Sequence, residues 1–387
     1  MEILVLLNKN ASGFTERESY KIGNLLRPLS GGVIATKSPE EMRRILGNYS
    51  TRQPRILGIG GGDNTIPEVL TAVKEMWGEF PEYIALFPQG AVCNWATSFG
   101  LNDGVVDKFK KSVRLGETKA LLMARYISEC YSEGREFMTE ELEPLRVNKR
   151  IGFNFGAGGV AKLIWLYEGK TPKQYQRLEE RLNHIGVEDY DSFIQEVLHD
   201  KGLLLSAVEA ASNGNGDLIR RGGSAYPLIT VLSSIFAGVS PFGEHRDYYG
   251  IPFEGKIFLD SCECDYGDVN AFYVSAYDKL NFGIPLLNVV ASPGARKKGK
   301  IEAILCQTSV EHLALQLPRF VKGEKVEGLS YHPASKMVLW SERPIVYELD
   351  AGLHADKVVT ITKEDPLTVI SPCKEYTIKD HLRHFFR

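Results

Sequence analysis

Three consecutive glycines followed by a carboxylate stand near residue 60. Apolar residues from Ile56 run into Gly60–Gly62, Asp63 follows, and the apolar residues after it recur at helical intervals as far as Trp77. This pattern predicts a strand, a glycine turn and a helix, and helix N-termini favour anions because their first N–H groups are unpaired. Asp63 is suited to hold a cation or to accept a proton, so the segment predicts a nucleotide-binding or phosphoryl-transfer site. The alternative is a tight turn in which Asp63 caps the helix.

Two further polar turns follow apolar, strand-like runs. Asn8–Gly13 comes after the run that ends at Leu7, and Pro88–Asn94 comes after the run that ends at Phe87. Strands that alternate with helices form a parallel sheet, in which ligands bind beyond the carboxyl ends of the strands. We therefore expect all three turns to lie on one edge of a sheet, which favours a ligand site over an isolated turn.

The alternation of strands and helices predicts a fold of two parts. Residues 1–120 are expected to form a doubly wound α/β nucleotide domain, to which 363–387 return. Residues 121–362 alternate with a period of two and predict an antiparallel β-sandwich domain, with Arg125–Tyr131 as an early strand. A charge-rich helical insert is expected at about 163–220.

The composition of the chain limits the classes of function that it can have. The chain has 387 residues, 43% hydrophobic and 25% charged, and a net charge of −3, which argues against nucleic acid as a partner. The six cysteines are sparse, which indicates reduced thiols in a cytoplasmic protein. We find no signal-peptide pattern and no apolar run that predicts a transmembrane segment. The sequence does not indicate the oligomeric state, and a homo-oligomer is one alternative.

Five segments resemble the diacylglycerol kinase catalytic-domain family, the bacterial-type lipid kinases related to sphingosine kinases and more distantly to NAD kinases. The segments are Asn8–Gly13, Gly61–Glu68, Pro88–Leu101, Asn154–Gly159, and Asp350 with the later strand Leu367–Pro372. The second of these, Gly-Gly-Asp-Asn-Thr, is similar to the family signature Gly-Gly-Asp-Gly-Thr. Their order along the chain is more specific than any one of them alone.

The resemblance implies an ATP-dependent lipid kinase that phosphorylates a hydroxyl of diacylglycerol, a sphingoid base or a related lipid at a membrane surface, with ATP and Mg²⁺ bound between the two domains. It implies cofactor binding by Asn8, Ser12, Thr36, Gly61, Gly62, Asp63, Asn64, Thr65, Glu68 and Gly90. Asp63 and Asp350 are the candidate catalytic residues. Asp63 is expected either to hold Mg²⁺ through water or to act as the base, and Asp350 is the other candidate base.

Several residues depart from the family pattern. Asn64 replaces a glycine, although asparagine tolerates a left-handed turn. Ala91 and Cys93 replace polar residues of the third turn. Lys298 lies where some bacterial members have a metal-binding aspartate, so we expect that structural Mg²⁺ site to be absent. Gly352 replaces a glutamate. These departures keep two alternatives open: an NAD-kinase-like phosphotransferase with a soluble acceptor, and an inactive homologue that binds nucleotide or lipid.

Two other patterns suggest different chemistry. Gly294–Lys300 nearly spells a phosphate-binding P-loop, but Ile301 stands where a hydroxyl is needed and the residues after it alternate like a strand. His354 is close to Asp350 in sequence, where we expect a surface turn.

Overall fold

The structure is a computed structural model and describes residues 2–89, 118–167, 172–199, 252–264, 268–277, 279–280, 289–290, 298–308, 312, 316, 319, 326–350 and 352–372. The chain separates into two compact units. The first contains Met1–Pro144, Lys149–Ile151 and Asp365–Arg387, and the second contains Leu145–Asn148 and Gly152–Glu364. Each unit is built on its own large sheet.

The first unit contains six strands and four helices among the described residues. In chain order these are β1 (Ile3–Asn8), α1 (Glu16–Leu26), β2 (Gly32–Thr36), α2 (Pro39–Asn48), β3 (Ile56–Gly61), α3 (Thr65–Trp77), β4 (Tyr83–Pro88), α4 (Lys119–Glu133), β5 (Thr139–Leu142) and, from the far end of the sequence, β18 (Leu367–Ile370). The strand order is β2-β1-β3-β4-β18-β5, with parallel pairing except between β18 and β5.

The winding of this sheet reverses once. The chain steps from β1 to β2 in one direction and then crosses back over β1 to β3 and on to β4. Right-handed crossovers put α1 on one face and α2 and α3 on the other. The contacts agree, because α2 packs against α3 and α1 packs against α4. The predicted doubly wound α/β fold is confirmed, and its reversal point lies between β1 and β3, where ligands bind in such sheets.

Local sequence accounts for the helix boundaries. The Ser38 hydroxyl accepts a hydrogen bond from the Glu41 N–H at the start of α2, and Pro39 occupies the first helical position, where its fixed φ suits a helix. Helix α3 ends at Gly78, whose φ of 80° is the left-handed conformation that glycine adopts readily. The Thr118 hydroxyl caps α4 in the same way as Ser38 caps α2.

The predicted strand Arg125–Tyr131 is wrong. These residues lie inside α4, whose buried side chains include Met123, Ile127 and Cys130 at helical spacing. The alternation of polar and apolar residues within 125–131 was too short to outweigh the cap at Thr118 and the left-handed Gly134 that ends the helix. The first unit thus extends to Pro144, past residue 120, because α4 and β5 pack on its sheet.

The second unit is built on antiparallel strands. They are β6 (Leu145–Val147), β7 (Arg150–Gly152), β8 (Asn154–Gly158), β9 (Lys256–Leu259), β10 (Cys262–Cys264), β11 (Ala271–Ser275), β12 (Lys279–Leu280), β13 (Val289–Val290), β14 (Ile301–Cys306), β15 (Leu329–Ala334), β16 (Lys336–Leu349) and β17 (Gly352–Lys363). The main sheet runs β15-β14-β11-β8-β16-β17-β6-β7, β9 pairs with β16 and β10, and β12 pairs with β13. The predicted antiparallel β class is confirmed.

Three helices pack on this sheet: α5 (Gly159–Tyr167), α6 (Pro172–Leu182) and α7 (Tyr190–His199). Their core includes the buried side chains of Trp165, Tyr175 and Tyr190, which pack with Val346 and Leu353 of the sheet. The described part of the predicted insert is therefore helical. Two 3₁₀ turns, Arg27–Leu29 and Val187–Asp189, complete the described elements.

Candidate functional site

The turn after β1 is tied to the turn after β3 by one side chain. Asn8 ends β1, and its Nδ2 donates to the Thr65 Oγ1 at 3.1 Å. Its Oδ1 accepts from the backbone N–H of Asn10 at 2.9 Å, which fixes the turn that follows. Asn8 therefore holds the two loops together at the reversal point of the sheet.

The glycine turn after β3 is sterically specific at Gly61. A Cβ on Gly61 would lie 2.4 Å from the Thr65 Oγ1, so no larger residue fits without moving the helix start. The Thr65 N–H donates to the Gly62 carbonyl at 3.1 Å. The Thr65 hydroxyl accepts from Asn8, which leaves its own O–H to donate.

The carboxylate of this turn lies at the N-terminus of α3. Asp63 is half-buried and precedes Asn64, the N-cap residue. The alternative in which Asp63 caps the helix is wrong, because the cap position belongs to Asn64. Asn64 is exposed with φ of −74° and ψ of −19°, a right-handed conformation. This position therefore does not require glycine, and the turn accommodates asparagine without strain.

Glu68 lies one turn into α3. Its side chain is exposed at its end, yet desolvation by surrounding protein atoms raises the pKa of its carboxyl, while the charge of Arg43 lowers it. The carboxyl of Glu68, the second acidic group at this sheet edge, is therefore less readily ionised than that of an ordinary glutamate.

The turn after β4 joins the same cluster through Gln89. Its carbonyl accepts from the Gly13 N–H at 2.8 Å, and its N–H donates to the Gly61 carbonyl at 3.0 Å. Gln89 is 3% exposed, and within the part of the chain that the structure describes neither polar atom of its side-chain amide has a hydrogen-bond partner. Gln89 was not among the predicted site residues, although a polar residue directly after an apolar strand was a visible signal.

The remaining predicted residues of this edge differ in their surroundings. Thr36 ends β2 and is buried, and its hydroxyl donates to the Leu7 carbonyl at 3.4 Å. Ser12 is exposed in the β1 turn. Gly90, like Ala91 and Cys93, lies outside the described residues. Four loops of one sheet edge are thus brought together by direct hydrogen bonds.

In the second unit, Asp350 fastens the start of β8. It follows β16, is 4% exposed and has a left-handed φ of 48°. Its Oδ2 accepts from the Phe153 N–H at 2.6 Å, and its Oδ1 accepts from the Asn154 N–H at 3.0 Å and Nδ2 at 2.9 Å. These three hydrogen bonds tie the Asp350 carboxylate to the start of β8.

Asn154 carries this anchoring into the sheet. Its Oδ1 accepts from the Tyr273 hydroxyl at 3.0 Å and from the Ser275 hydroxyl at 2.9 Å. Desolvation raises the pKa of Tyr273 well above its ordinary value, so the phenol remains a donor at neutral pH. The first residue of the predicted Asn154–Gly159 segment is therefore a half-buried hydrogen-bonding centre.

Two minor predictions have clear outcomes. His354 does not lie in a surface turn: it is in β17, and its Nδ1 is 3.3 Å from the Asp191 Oδ1 of α7. The residues after the P-loop-like run form strand β14, as predicted, and Lys298 is exposed in the turn before it.

The β3 turn offers hydrogen-bond donors that suit a phosphate group, whereas the described residues offer no cluster of three or more metal ligands. The backbone of Gly61 lies close against the Thr65 side chain, and the Thr65 hydroxyl and the helix N-terminus supply donors at this turn. Over the described part of the chain, no cluster of three or more His, Cys, Asp or Glu side chains is placed to hold a metal ion. Any cation at this edge would depend on Asp63 together with the ligand itself.

Comparison with known proteins identifies the first part of the chain. Residues 2–126 match the family model of the diacylglycerol kinase catalytic domain. No curated protein sequence matches the chain. The matched residues include the β1 and β3 turns and Asp63, which carry the geometry described above.

Solved structures share the fold of the whole chain. A diacylglycerol kinase from Bacillus anthracis strain Sterne is 11% identical, with a TM-score of 0.53 and coverage of 96% of each chain. Two provisionally assigned diacylglycerol kinases from that organism are each 13% identical, with TM-scores of 0.57 and 0.56; they cover 96% and 95% of this chain and are covered to 97% and 96%. Residues 2–126 therefore match the diacylglycerol kinase catalytic-domain family, and the chain shares the fold of these bacterial proteins.

Proposed function

We propose that this protein is an ATP-dependent lipid kinase that transfers the γ-phosphoryl group of ATP to a lipid hydroxyl. The observation that carries the proposal is the turn Gly61–Thr65, locked to β1 by the bond from Asn8 and matched to the kinase family. Phosphoryl transfer depends mainly on positioning and charge stabilisation, which a rigid cradle of N–H and O–H donors supplies.

Each residue of the turn has a role in this proposal. Gly61 and Gly62 let the phosphates approach the backbone, and the Thr65 hydroxyl donates to a phosphate oxygen. Asn8 orients that hydroxyl by donating to it at 3.1 Å. Ser12, Thr36, Asn64, Glu68 and Gly90 line or support the nucleotide. Mg²⁺, when bound with ATP, would neutralise phosphate charge, and Asp63 is the residue that would hold it through water.

The two aspartates have different roles. Asp63 is half-buried in the turn, and in this proposal its carboxylate accepts the proton of the acceptor hydroxyl. Asp350 accepts three hydrogen bonds from residues 153 and 154, so its carboxylate is committed to holding β8. We therefore assign the base to Asp63 and a positioning role to Asp350.

One assay tests the proposal. The protein is incubated with labelled ATP, Mg²⁺ and diacylglycerol or a sphingoid base in mixed micelles, beside Asp63→Asn and a matched control, Glu79→Gln, an exposed residue just after α3. We expect label in the lipid with the wild type and Glu79→Gln, and none with Asp63→Asn. Transfer to NAD would select the NAD-kinase-like alternative, and ATP binding without transfer to any acceptor would show an inactive homologue.

A further inference from the structure

Two cysteines lie two residues apart on a short strand of the second unit. Cys262 begins β10 and is exposed, and Cys264 ends it and is half-buried. Successive residues of a strand point to opposite faces of the sheet, so residues two apart point to the same face. Both thiols therefore project from one side of β10, and neither is used by the proposed kinase activity.

The turn before β10 fixes the register of this strand. Asp260 and Ser261 join β9 to β10 with φ of 48° and 73°, and a type I′ hairpin turn requires such left-handed values at both of its central residues. The Asp260 Oδ1 also accepts from the N–H groups of Ser335 at 2.7 Å and Lys336 at 3.0 Å, which ties the turn to the start of β16. A strand that is held in this way cannot slip by one residue and turn its thiols to the other face.

The side of the hairpin that carries the thiols is apolar but open. Cys262 pairs with Leu259, which is half-buried, and Cys264 pairs with Ile257, which is 6% exposed. Residues that pair across antiparallel strands point to the same side. Among the described strands β10 pairs with β9 alone, so the sulfur atoms border apolar side chains and remain accessible at an edge.

The two thiols converge, whereas the residue between them faces away. The Cys264 thiol donates to the Cys262 carbonyl at 3.4 Å, so its sulfur leans along the strand toward Cys262. Glu263 pairs with Phe258 on the opposite face, and its carboxylate forms an ion pair with Lys256 at 3.0 Å. Glu263 is therefore not a third ligand beside the sulfur atoms.

The extended strand discriminates between the two ways in which thiols are joined. Residues two apart in a strand are separated by about 6.6 Å, and their Cβ atoms on one face by a similar distance. A disulfide needs Cβ atoms about 3.5–4.5 Å apart, so this pair cannot form one without bending β10. A metal ion between two sulfur atoms adds two bonds of roughly 2.3 Å and spans the wider gap.

We propose that Cys262 and Cys264 together bind one monovalent copper ion, Cu(I). Soft thiolate ligands select Cu(I) and zinc, but structural zinc takes four ligands, whereas Cu(I) is stable with two. Within the described residues, no group of three or more His, Cys, Asp or Glu side chains is placed to hold a metal ion. A pair of thiols therefore fits Cu(I) better than zinc.

The binding step is balanced without any oxidant or reductant. Each thiol forms one S–Cu bond and loses its proton to solvent, so one Cu(I) replaces two protons and the copper stays monovalent. The site does not depend on the proposed kinase activity.

Anaerobic titration of the full chain tests the proposal. The reduced protein competes for Cu(I) with bicinchoninate, whose copper complex is coloured. The variants are Cys262→Ser and Cys264→Ser. The matched control is Cys93→Ser/Cys373→Ser, which removes two cysteines that lie outside the described residues, and the buried Cys130 and Cys306 stay in every variant.

We expect the wild type and the control to bind one Cu(I) per chain, with two sulfur neighbours in X-ray absorption spectra. Each single variant should bind roughly a hundredfold more weakly, because the second thiolate then no longer binds within the same chain. Where thiols are protonated, the affinity of the wild type should rise about a hundredfold per pH unit, since two protons are displaced, and that of a single variant about tenfold. Circular dichroism verifies that each variant is folded.

Four results would overturn the proposal. The first two are a Cys262→Ser or Cys264→Ser variant that binds Cu(I) as tightly as the wild type, and loss of binding in the control variant instead. The others are a zinc-dependent dimer, in which two copies supply four thiolates, and a Cys262–Cys264 disulfide found by peptide mapping of the untreated protein. No ATP or lipid is present in these measurements, so failure of the proposed kinase activity would leave their outcome unchanged.

Discussion

At the scale of single residues, the loops at the β1 and β3 ends of the first sheet are held together by short contacts that leave little freedom. Gly61, Thr65 and Asn8 form a chain of contacts across two loops, and Gln89 joins a third. These contacts involve backbone groups and short uncharged side chains, so the turn depends on close fit rather than on charge. Substitutions that change backbone fit should therefore matter more here than substitutions that change charge.

Gly61→Ala should destroy the cradle. The new Cβ would lie 2.4 Å from the Thr65 Oγ1, so α3 must shift, at a cost of roughly 1–3 kcal/mol. We expect ATP binding, measured by titration calorimetry, to be lost. The matched control is Gly47→Ala in α2, where a Cβ meets nothing within 4 Å and alanine should stabilise the helix by up to about 1 kcal/mol. Unimpaired ATP binding by Gly61→Ala would contradict the assigned role of the turn.

Asp350→Asn should lower stability before it affects chemistry. The amide replaces a carboxylate that accepts from the Phe153 and Asn154 N–H groups, so a buried donor loses its charged partner at a cost of roughly 1–3 kcal/mol. Urea unfolding measures the loss, and Glu342→Gln on the same strand, an exposed change, serves as the control. A variant of full stability with a large fall in kcat would instead make Asp350 the base.

At the scale of elements, the sheet of the first unit depends on a strand from the far end of the sequence. β18 lies between β4 and β5, and its side chains Leu367, Val369 and Ile370 are buried. The Lys74 ammonium on α3 also pairs with Asp365 just before β18. The nucleotide edge is therefore carried by a sheet that residues 2–126 do not complete by themselves.

Leu367→Ala should loosen this sheet. Removing a fully buried leucine side chain costs roughly 2–5 kcal/mol, whereas Thr368→Ala on the half-buried side of the same strand should cost far less. Hydrogen exchange of the β4 amides reports the effect, and we expect it to quicken only in Leu367→Ala. Equal protection of the β4 amides from exchange in both variants would show that β18 contributes little to the stability of the sheet.

Helix α6 provides a pH-dependent test. Desolvation raises the pKa of Glu179 above 4.5, and the charges of Lys162 and Arg343 oppose this shift. A raised pKa means that the folded state binds more protons than the unfolded state in the interval between the two values. The stability contribution of Glu179 is therefore present below pH 4.5 and is lost as pH rises through the folded pKa.

Glu179→Gln should remove that dependence. Between the two pKa values, the wild type is expected to lose stability relative to the variant as pH rises, and thermal unfolding across this interval measures the difference. Glu180→Gln, an exposed neighbour on the same helix, should follow the wild type. Parallel pH curves for the wild type and Glu179→Gln would contradict the assigned burial.

At the scale of the whole molecule, sequence patterns predicted individual helices and strands better than they predicted which of these elements lie next to each other. The continuous apolar runs of β1, β3 and β4 and the cap at Ser38 predicted their elements because the signals are local. The position of β18 between β4 and β5 depends on packing between distant segments, which no local pattern contains. The hydrogen bond from Asn8 to Thr65 follows from the strand order, so local sequence could not predict it either.

The same limit applies to the candidate site and to membrane contact. The order of motifs identified the β3 turn but not the buried amide of Gln89. The sequence around Asp350 indicated neither its left-handed backbone conformation nor its hydrogen bonds. No described helix is long and apolar enough to cross a membrane.

The place of β18 also bears on how the protein is made. During synthesis β4 and β5 leave the ribosome long before Leu367–Ile370, so the position between them is empty while the second unit is translated. Two unpaired strand edges are then exposed to solvent, and such edges pair readily with other chains. The nascent protein should therefore require chaperone protection until its last strand emerges, and slowed translation of the intervening residues should reduce its soluble yield.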